Sequence, residues 1–380
     1  MLTLVDISNQ LGLQPDYLQE LSTIASSLYT TFDRLKKSGG VRSISAPKDK
    51  LKRVQRLILD GLLATEQLPP YLHGCVKGRS IVTNAEGHIA KPLVLNIDLI
   101  NFYGAIRYER VVSIFQDTFG CDSNAAEVLT HICVYGNSLP QGAPTSPTLA
   151  NIAALSLDRE LIEICEQNVK HYGYHYSRYV DDITISGGVE LAPLLQEFFK
   201  AVEKNGFRAN TKKLKIARPS ERQKVTGIVV NKKLSVPKKL IRKVRQELYY
   251  CEKYGIDSHC ERKEIAPEKF LMRIRGLIGY IRMTGSELAN DFEVRLFKVR
   301  QRSTVVAPDD EEQMLKLLSG FIAHEQTITF VYDLQNHHVA PTEILMDDDG
   351  FKILRGFQIS PKQGWETFLV SKITSIAIQS

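Results

Sequence analysis

Long apolar runs are missing from this chain. A membrane-spanning helix needs about 20 consecutive apolar residues, and no uninterrupted stretch of that kind is present. The start, Met1-Leu2-Thr3-Leu4-Val5-Asp6, lacks the basic and long apolar regions of a secretory signal. Cysteine is sparse and unpatterned: Cys75, Cys121, Cys133, Cys165, Cys251 and Cys260 form no Cys-x-x-Cys. A disulfide framework or a zinc ribbon therefore has no support. Cys251, His259 and Cys260 are close in sequence, but without that spacing they read as unrelated side chains on a helix and its loop. Reduced thiols, a cytoplasmic location and no membrane partner are expected. Repeats and low-complexity segments are absent as well. What is present is ordinary for a soluble globular chain: 380 residues, 43% hydrophobic and 24% charged, enough for two or three domains.

The charge is unevenly spread. Residues 232–302 carry 18 Lys and Arg against 9 Asp and Glu, a balance of +9. Residues 303–380 carry 5 against 11, a balance of −6. The basic segment has the charge of a surface for a phosphate backbone, or of a solvated helical face. The acidic end is a poor surface for extended nucleic-acid contact.

The tetrapeptide Tyr179-Val180-Asp181-Asp182 is the most informative local feature. Tyr174–Arg178 before it and Ile183–Ser186 after it are rich in aromatic and β-branched residues and read as strands. Two adjacent carboxylates at the tip of a strand pair repel each other. An acidic pair at a turn is common for local reasons, because Asp bonds its own backbone there. A pair of Mg²⁺ ions would give it a chemical reason, since hard cations take carboxylate oxygens and bridge to phosphates. Such a site needs a carboxylate from another strand. Leu93-Val94-Leu95-Asn96-Ile97-Asp98 is a short apolar run with one Asp at its end. A charge in such a strand is expensive without a cation partner, although a helix cap or turn would also use it. Asn101-Phe102-Tyr103 follows directly.

These residues resemble the reverse transcriptases. Asp98 with Phe102-Tyr103 is similar to the first palm motif of that family. Leu139-Pro140-Gln141-Gly142-Ala143-Pro144-Thr145-Ser146-Pro147 is similar to the second, and Tyr179–Asp182 to the third. Gly206–Lys213 resembles the fourth. The motifs occur in the family's order, and the resemblance covers roughly residues 20–300. It implies an α+β, right-hand polymerase fold: residues 1–230 as fingers and palm, 231–302 as a basic helical thumb, and 303–380 as an acidic accessory domain. The boundary is expected near Ser303–Asp309.

The same resemblance assigns roles. Asp98 and Asp181 would hold two Mg²⁺ ions, with the Leu99 carbonyl as a further ligand and Asp182 binding more weakly or supporting the hairpin. Arg42 would reach the incoming triphosphate. Phe102 and Tyr103 would line the nucleotide pocket, Tyr103 lying under the sugar and excluding a 2′-hydroxyl. Gln141 and Gly142 would pack by the nucleotide, and Lys213, with Lys212 close by, would assist pyrophosphate departure. Lys36 and Lys37 fall in a turn, either solvated or in contact with substrate. His73-Gly74-Cys75-Val76-Lys77-Gly78-Arg79-Ser80 fails as a phosphate-cradling loop, because its glycine spacing is short and Arg stands for Lys.

Two elements narrow the resemblance to retron reverse transcriptases: Asn84-Ala85-Glu86-Gly87-His88 and Val225-Thr226-Gly227. Each alone is also an ordinary loop or strand end. Together they imply an enzyme that binds a structured noncoding RNA. It would prime from an RNA 2′-hydroxyl, copy part of that RNA from dNTPs into an attached single-stranded DNA (msDNA), and act with an effector protein in antiphage defence. Asn84, His88, Val225, Thr226 and Gly227 would help seat the RNA. Val180 stands where Ala is common in retron enzymes. Another defence-associated or group II-like reverse transcriptase is an alternative, as is a non-polymerising RNA-binding scaffold.

Coarse periodicity completes the expectations. Residues 7–36, 50–64, 109–118, 145–168, 189–205 and 237–300 read as helical, and 225–231 as one strand. After a helix at 310–323, strands are expected at 327–332, 351–357, 365–369 and 373–378. Through Tyr332, Pro341, Arg355-Gly356-Phe357 and Phe368 this end resembles a WYL-type, SH3-like barrel.

Overall fold

The computed structural model describes residues 1–35, 39–169, 173–302, 311–333 and 335–378. Lys36, Lys37 and the expected boundary at 303–309 lie outside the described residues. The chain divides into two compact units, Met1–Ser235 and Val236–Ser380. Among the described residues no helix is long and apolar enough to cross a membrane.

The first unit opens with helices at Leu4–Leu11 and Pro15–Ile24. Thr3 and Asp6 cap the first reciprocally, each side chain taking the other's backbone N–H. The helical spacing expected to residue 36 stops earlier. Tyr29–Leu35 is strand β1, paired antiparallel with β2, Val41–Pro47. The aromatic and β-branched run Tyr29-Thr30-Thr31-Phe32 favours an extended backbone over a further helical turn.

A four-stranded antiparallel sheet organises this unit. Its strands are β3 (Leu93–Asp98), β4 (Tyr174–Tyr179), β5 (Asp182–Gly187) and β6 (Lys215–Ala217), in the order β4-β5-β3-β6. Leu93, Val94, Leu95 and Ile97 are all buried, so β3 is covered on both faces and needs no polar alternation. One core joins the sheet to the helices through Leu95, Ile97, Ile183 and Ile185 with Leu149, Leu157, Leu161 and Phe198. The helix expected over 145–168 is two, Ser146–Ala153 and Leu155–Asn168. The strand expected at 225–231 is a tight hairpin of β7 (Lys224–Val225) and β8 (Ile228–Val229). Its turn residues Thr226 and Gly227 have φ of 45° and 93°, the left-handed pair that two-residue hairpins favour.

The second unit begins with helices at Lys238–Tyr254, Ile256–Glu261, Pro267–Arg282 and Leu288–Arg302. Val244, Leu248, Phe270, Ile274, Ile278 and Phe292 form their core. Buried Glu247 ties them together, 2.7 Å from His259 and 2.5 Å from Lys263. A helix at Glu311–Ala323 follows, then five strands: β9 (Ile328–Tyr332), β10 (Gln335–Met346), β11 (Lys352–Ser360), β12 (Gly364–Leu369) and β13 (Ile373–Ile378). Their order is β12-β11-β10-β9-β13. The expected barrel is corrected here. Among the described residues the end strands β12 and β13 are not paired, so the sheet is open. Met314, Leu318 and Phe321 of the helix share a core with Phe330, Leu354 and Phe368, which covers one face without closure.

Candidate active site

The site is built on the β4–β5 hairpin. Only Val180 and Asp181 separate the strands. Val180 has φ 60°, a region that β-branched side chains avoid. Three contacts hold it there. Arg178 Nη1 donates to the Val180 carbonyl at 3.1 Å. Leu99 N–H donates to the Asp181 carbonyl at 3.0 Å and stitches the turn to the end of β3. Gly74 lies so close that a Cβ there would stand 2.5 Å from the Val180 nitrogen. Register then sets Asp98 directly opposite Asp182. Three carboxylates therefore gather at one end of the sheet.

Their electrostatics is that of like charges short of cations. Burial pushes the Asp181 carboxyl up, and the charge of Asp98 adds to it, while Lys213 and Arg42 oppose. Asp182 is pushed up to about 6, first by burial of its carboxyl and then by Asp181 and Asp98. Asp98 has one direct cation: Lys213 Nζ lies 2.8 and 3.0 Å from its two oxygens. Asn210 adds a side-chain contact at 3.3 Å and a backbone N–H to the Asp98 carbonyl at 2.8 Å.

Among the described residues no three His, Cys, Asp or Glu side chains stand close enough together to hold one metal ion as they are placed. The Lys213 ammonium takes the oxygens of Asp98. The donor chemistry still suits a hard divalent ion. The groups are carboxylates, and two of them resist ionisation through burial and the charge of their acidic neighbours, which a cation would offset. Leu99 is buried behind them.

The residues after β3 divide between floor and face. Asn101 adopts a left-handed conformation, φ 49° and ψ 45°, and turns the chain into Phe102–Ala105. Phe102 is 2% exposed and rests on Phe207 with ring centroids 5.4 Å apart. It is a floor beneath the site rather than a nucleotide contact, because a buried ring has no surface to offer. Tyr103 is partly exposed. Burial raises the pKa of its hydroxyl, with the charges of Cys75 and Asp181 adding and Arg42 opposing.

The β1–β2 hairpin meets the Gln141-Gly142 loop. Ser45 N–H donates to the Gln141 carbonyl at 2.9 Å. Gly142 has φ 137°, and a Cβ there would stand 2.7 Å from the Ser45 carbonyl oxygen, so only glycine fits. Arg42 lies on β2 and is exposed. Its charge favours the ionised forms of Asp181 and Tyr103.

The residues expected to seat RNA are brought together, but mostly inside the protein. Asn84 Nδ2 reaches Thr226 Oγ1 at 3.4 Å, and Thr226 Oγ1 donates to the Ile81 carbonyl. Asn84 and Val225 are fully buried; Gly227 is exposed. His88 is also fully buried, with Nδ1 2.7 Å from Ser186 Oγ and Nε2 2.8 Å from Ser177 Oγ. It clamps β4 to β5. Burial, aided by His175, His73 and Lys91, lowers its pKa to about 2, so the ring is neutral. Both ring nitrogens are spent within the fold, so any help His88 gives in seating RNA comes through the strands it joins.

Sequence reasoning passed over Arg178, Asp158 and Asn151, which support the turn from below. The available signal was a lone Arg inside a strand and a lone Asp on the apolar stripe of Leu157 and Leu161.

The chain belongs to the reverse transcriptase (RNA-dependent DNA polymerase) family, whose sequence profile matches residues 35–230. Within that family it is similar to retron reverse transcriptases. The Retron Ec86 reverse transcriptase of Escherichia coli is 31% identical over 255 residues, covering 66% of this chain and 78% of that one. The Retron Mx65 reverse transcriptase of Myxococcus xanthus is 32% identical over 280 residues, covering 69% and 62%. The Retron Mx162 enzyme of the same organism is 29% identical over 324 residues, covering 74% and 63%. The match thus spans a little under two thirds of the length of the two Myxococcus relatives. Membership of the family implies use of a divalent metal ion.

Proposed function

We propose that this chain is an RNA-directed DNA polymerase of the retron type. It copies a structured noncoding RNA into single-stranded DNA (msDNA), primed from an RNA 2′-hydroxyl. The observation that carries this reading is the convergence of Asp98, Asp181 and Asp182 at one end of an antiparallel sheet. In the reaction, a primer hydroxyl oxygen bonds to the α-phosphorus of a dNTP. The bond to the bridging oxygen breaks, and pyrophosphate departs.

Asp98 and Asp181 would hold two Mg²⁺ ions, with the Leu99 carbonyl and Asp182 as lesser ligands. Two such ions would lower the pKa of the attacking hydroxyl and offset the charge on the leaving pyrophosphate. The protein's own groups position and neutralise. Arg42 meets the triphosphate by charge-assisted hydrogen bonds. Tyr103 lies under the sugar and rejects a 2′-hydroxyl. Gln141 and Gly142 shape the nucleotide pocket. Lys213, already beside Asp98, is the cation at hand for departing pyrophosphate.

In this reading residues 1–230 act as fingers and palm, 231–302 as the thumb, and 303–380 as an accessory domain. The +9 balance of the thumb supports contact with a phosphate backbone. The Val225–Gly227 turn, linked to Asn84, supports the RNA site from beneath, with Gly227 at its surface. We assign the acidic accessory domain to contact with an effector protein in antiphage defence. Its separate core and exposed Trp365 support that role. The test is copurification of RNA with the chain, followed by DNA synthesis on that RNA with Mg²⁺ and dNTPs. Attached single-stranded DNA is the expected product. Removing residues 304–380 should leave synthesis on a simple primed template intact and abolish recovery of the effector.

A further inference from the structure

Beneath the Val180-Asp181 turn lies a polar assembly that the proposed chemistry does not use. Arg178 and Asp158 are both fully buried. Arg178 Nε donates to Asp158 Oδ1 and Nη2 to Oδ2, both at 2.7 Å. Tyr176 donates its hydroxyl to Asp158 Oδ1 at 2.5 Å. The guanidinium has donors left over. Nη1 reaches Asn151 Oδ1 at 3.1 Å and the Val180 carbonyl at 3.1 Å, and Nη2 reaches the Asn151 carbonyl at 3.0 Å. Asn151 in turn donates through Nδ2 to the Gly74 carbonyl at 2.9 Å.

The same assembly fixes a second segment against β4. Arg178 N–H donates to the Tyr71 carbonyl, and His73 N–H donates to the Arg178 carbonyl, both at 2.9 Å. Residues 71–74 thus run beside the strand that leads into the turn. They end at Gly74, in contact with Val180. The turn is gripped from two sides: by a hydrogen bond to its carbonyl and by a backbone pressed on its nitrogen.

We infer that Arg178 and Gly74 are positioning residues for the proposed polymerase: they set the strained Val180 backbone, and through it the place of Asp181 opposite the end of β3. A plain structural ion pair would need only the two bonds to Asp158. Burying two charges to hold a fold is poor economy, since apolar replacement of such a pair is often neutral or stabilising. The fork of the guanidinium is what a Lys could not supply. It serves Asp158, Asn151 and the Val180 carbonyl at once. Left-handed backbone at a β-branched residue persists only when its surroundings over-determine it, and such strain clusters at working sites.

The inference rests on the polymerase reading, and the experiment separates the two. Single-nucleotide incorporation on a primed template would be measured for the wild type, Arg178→Lys, the pair Arg178→Met with Asp158→Leu, and Gly74→Ala. Melting temperature and template affinity would be recorded for each. A wild type that incorporates nothing would remove the polymerase reading. With an active wild type, the expected result is folded variants that bind template normally. Their kcat should fall about a hundredfold, the usual effect of a misplacement near 1 Å, with KM for dNTP within about threefold of wild type.

Gly74→Ala leaves the ion pair in place, so it carries the test if the Arg178 variants melt too low. Val180→Gly, which relieves the strained backbone, should restore part of the kcat lost in Gly74→Ala. Wild-type kcat in folded Gly74→Ala or in folded Arg178→Lys would overturn the inference. So would a loss of activity that only tracks a loss of fold.

Discussion

Lys213 holds Asp98 by two contacts, 2.8 and 3.0 Å from its carboxylate oxygens, although the two residues are 115 positions apart. The lysine is exposed and the aspartate partly buried. An ion pair this open to solvent contributes about 0–1 kcal/mol to stability. The role proposed for it is therefore chemical rather than structural. Lys213→Met should leave the melting temperature almost unchanged and lower kcat for dNTP addition about a hundredfold, the lower range for one lost group that stabilises developing charge. Stopped-flow incorporation with thermal melting checks both halves. An unchanged rate would free Lys213 from the reaction.

Tyr103 has a half-buried ring and feels the charge of Asp181. Tyr103→Ala should keep dNTP use and cut discrimination against ribonucleotides about tenfold or more, the scale of a steric pocket contact. Competing dNTP and rNTP incorporation measures it. Unaltered discrimination would put the sugar gate elsewhere.

His88 is predicted to be structural. Its removal leaves the buried hydroxyls of Ser177 and Ser186 without partners, at about 1–3 kcal/mol each. His88→Ala should lower the melting temperature and depress synthesis equally on structured RNA and on a simple primed template. A selective loss on structured RNA would restore a direct RNA role.

The same residue sets an acid limit. The folded pKa of His88 is depressed to about 2 and that of His73 to about 4, both chiefly by burial. A depressed histidine contributes stability above its unfolded pKa, about 6.5, and that contribution is lost as pH falls toward the folded value. Melting temperature should therefore drop steadily between pH 6.5 and pH 4. Flat behaviour over that window would contradict the buried, neutral assignment.

Asp182 titrates in the opposite sense. Its pKa is raised to about 6. Its stabilising contribution is complete below the ordinary carboxylate range and is lost as pH rises through about 6. In chelator, Asp182→Asn should melt higher than wild type at pH 7.5 and show less change between pH 4 and 6. A lower melting temperature for the variant at pH 7.5 would mean that the carboxylate is stabilised by something other than its neighbours here.

Much of the site was legible because its parts are local. Asp98 ends an apolar strand, Asp181 and Asp182 follow an aromatic one, and such runs declare themselves by composition. The register that sets Asp98 opposite Asp182 was not legible, because it depends on pairing across more than 80 residues of chain. Burial was the other blind spot. Phe102 and His88 belong to motifs read as functional, and nothing in their spacing says that these two point inward. Strand β10 was missed because Pro341 and two register shifts interrupt its alternation. The barrel expectation failed for a related reason, since strand count alone does not say whether end strands meet.

The most direct test of the central claim is single-nucleotide extension of a primed RNA template by wild type, Asp98→Ala and Asp181→Asn, with Mg²⁺ and one dNTP. Circular dichroism and melting would be recorded on the same samples. The wild type should extend the primer and neither variant should, with both variants folded as the wild type is. Extension at near wild-type rate by a folded Asp98→Ala or Asp181→Asn protein would contradict the claim.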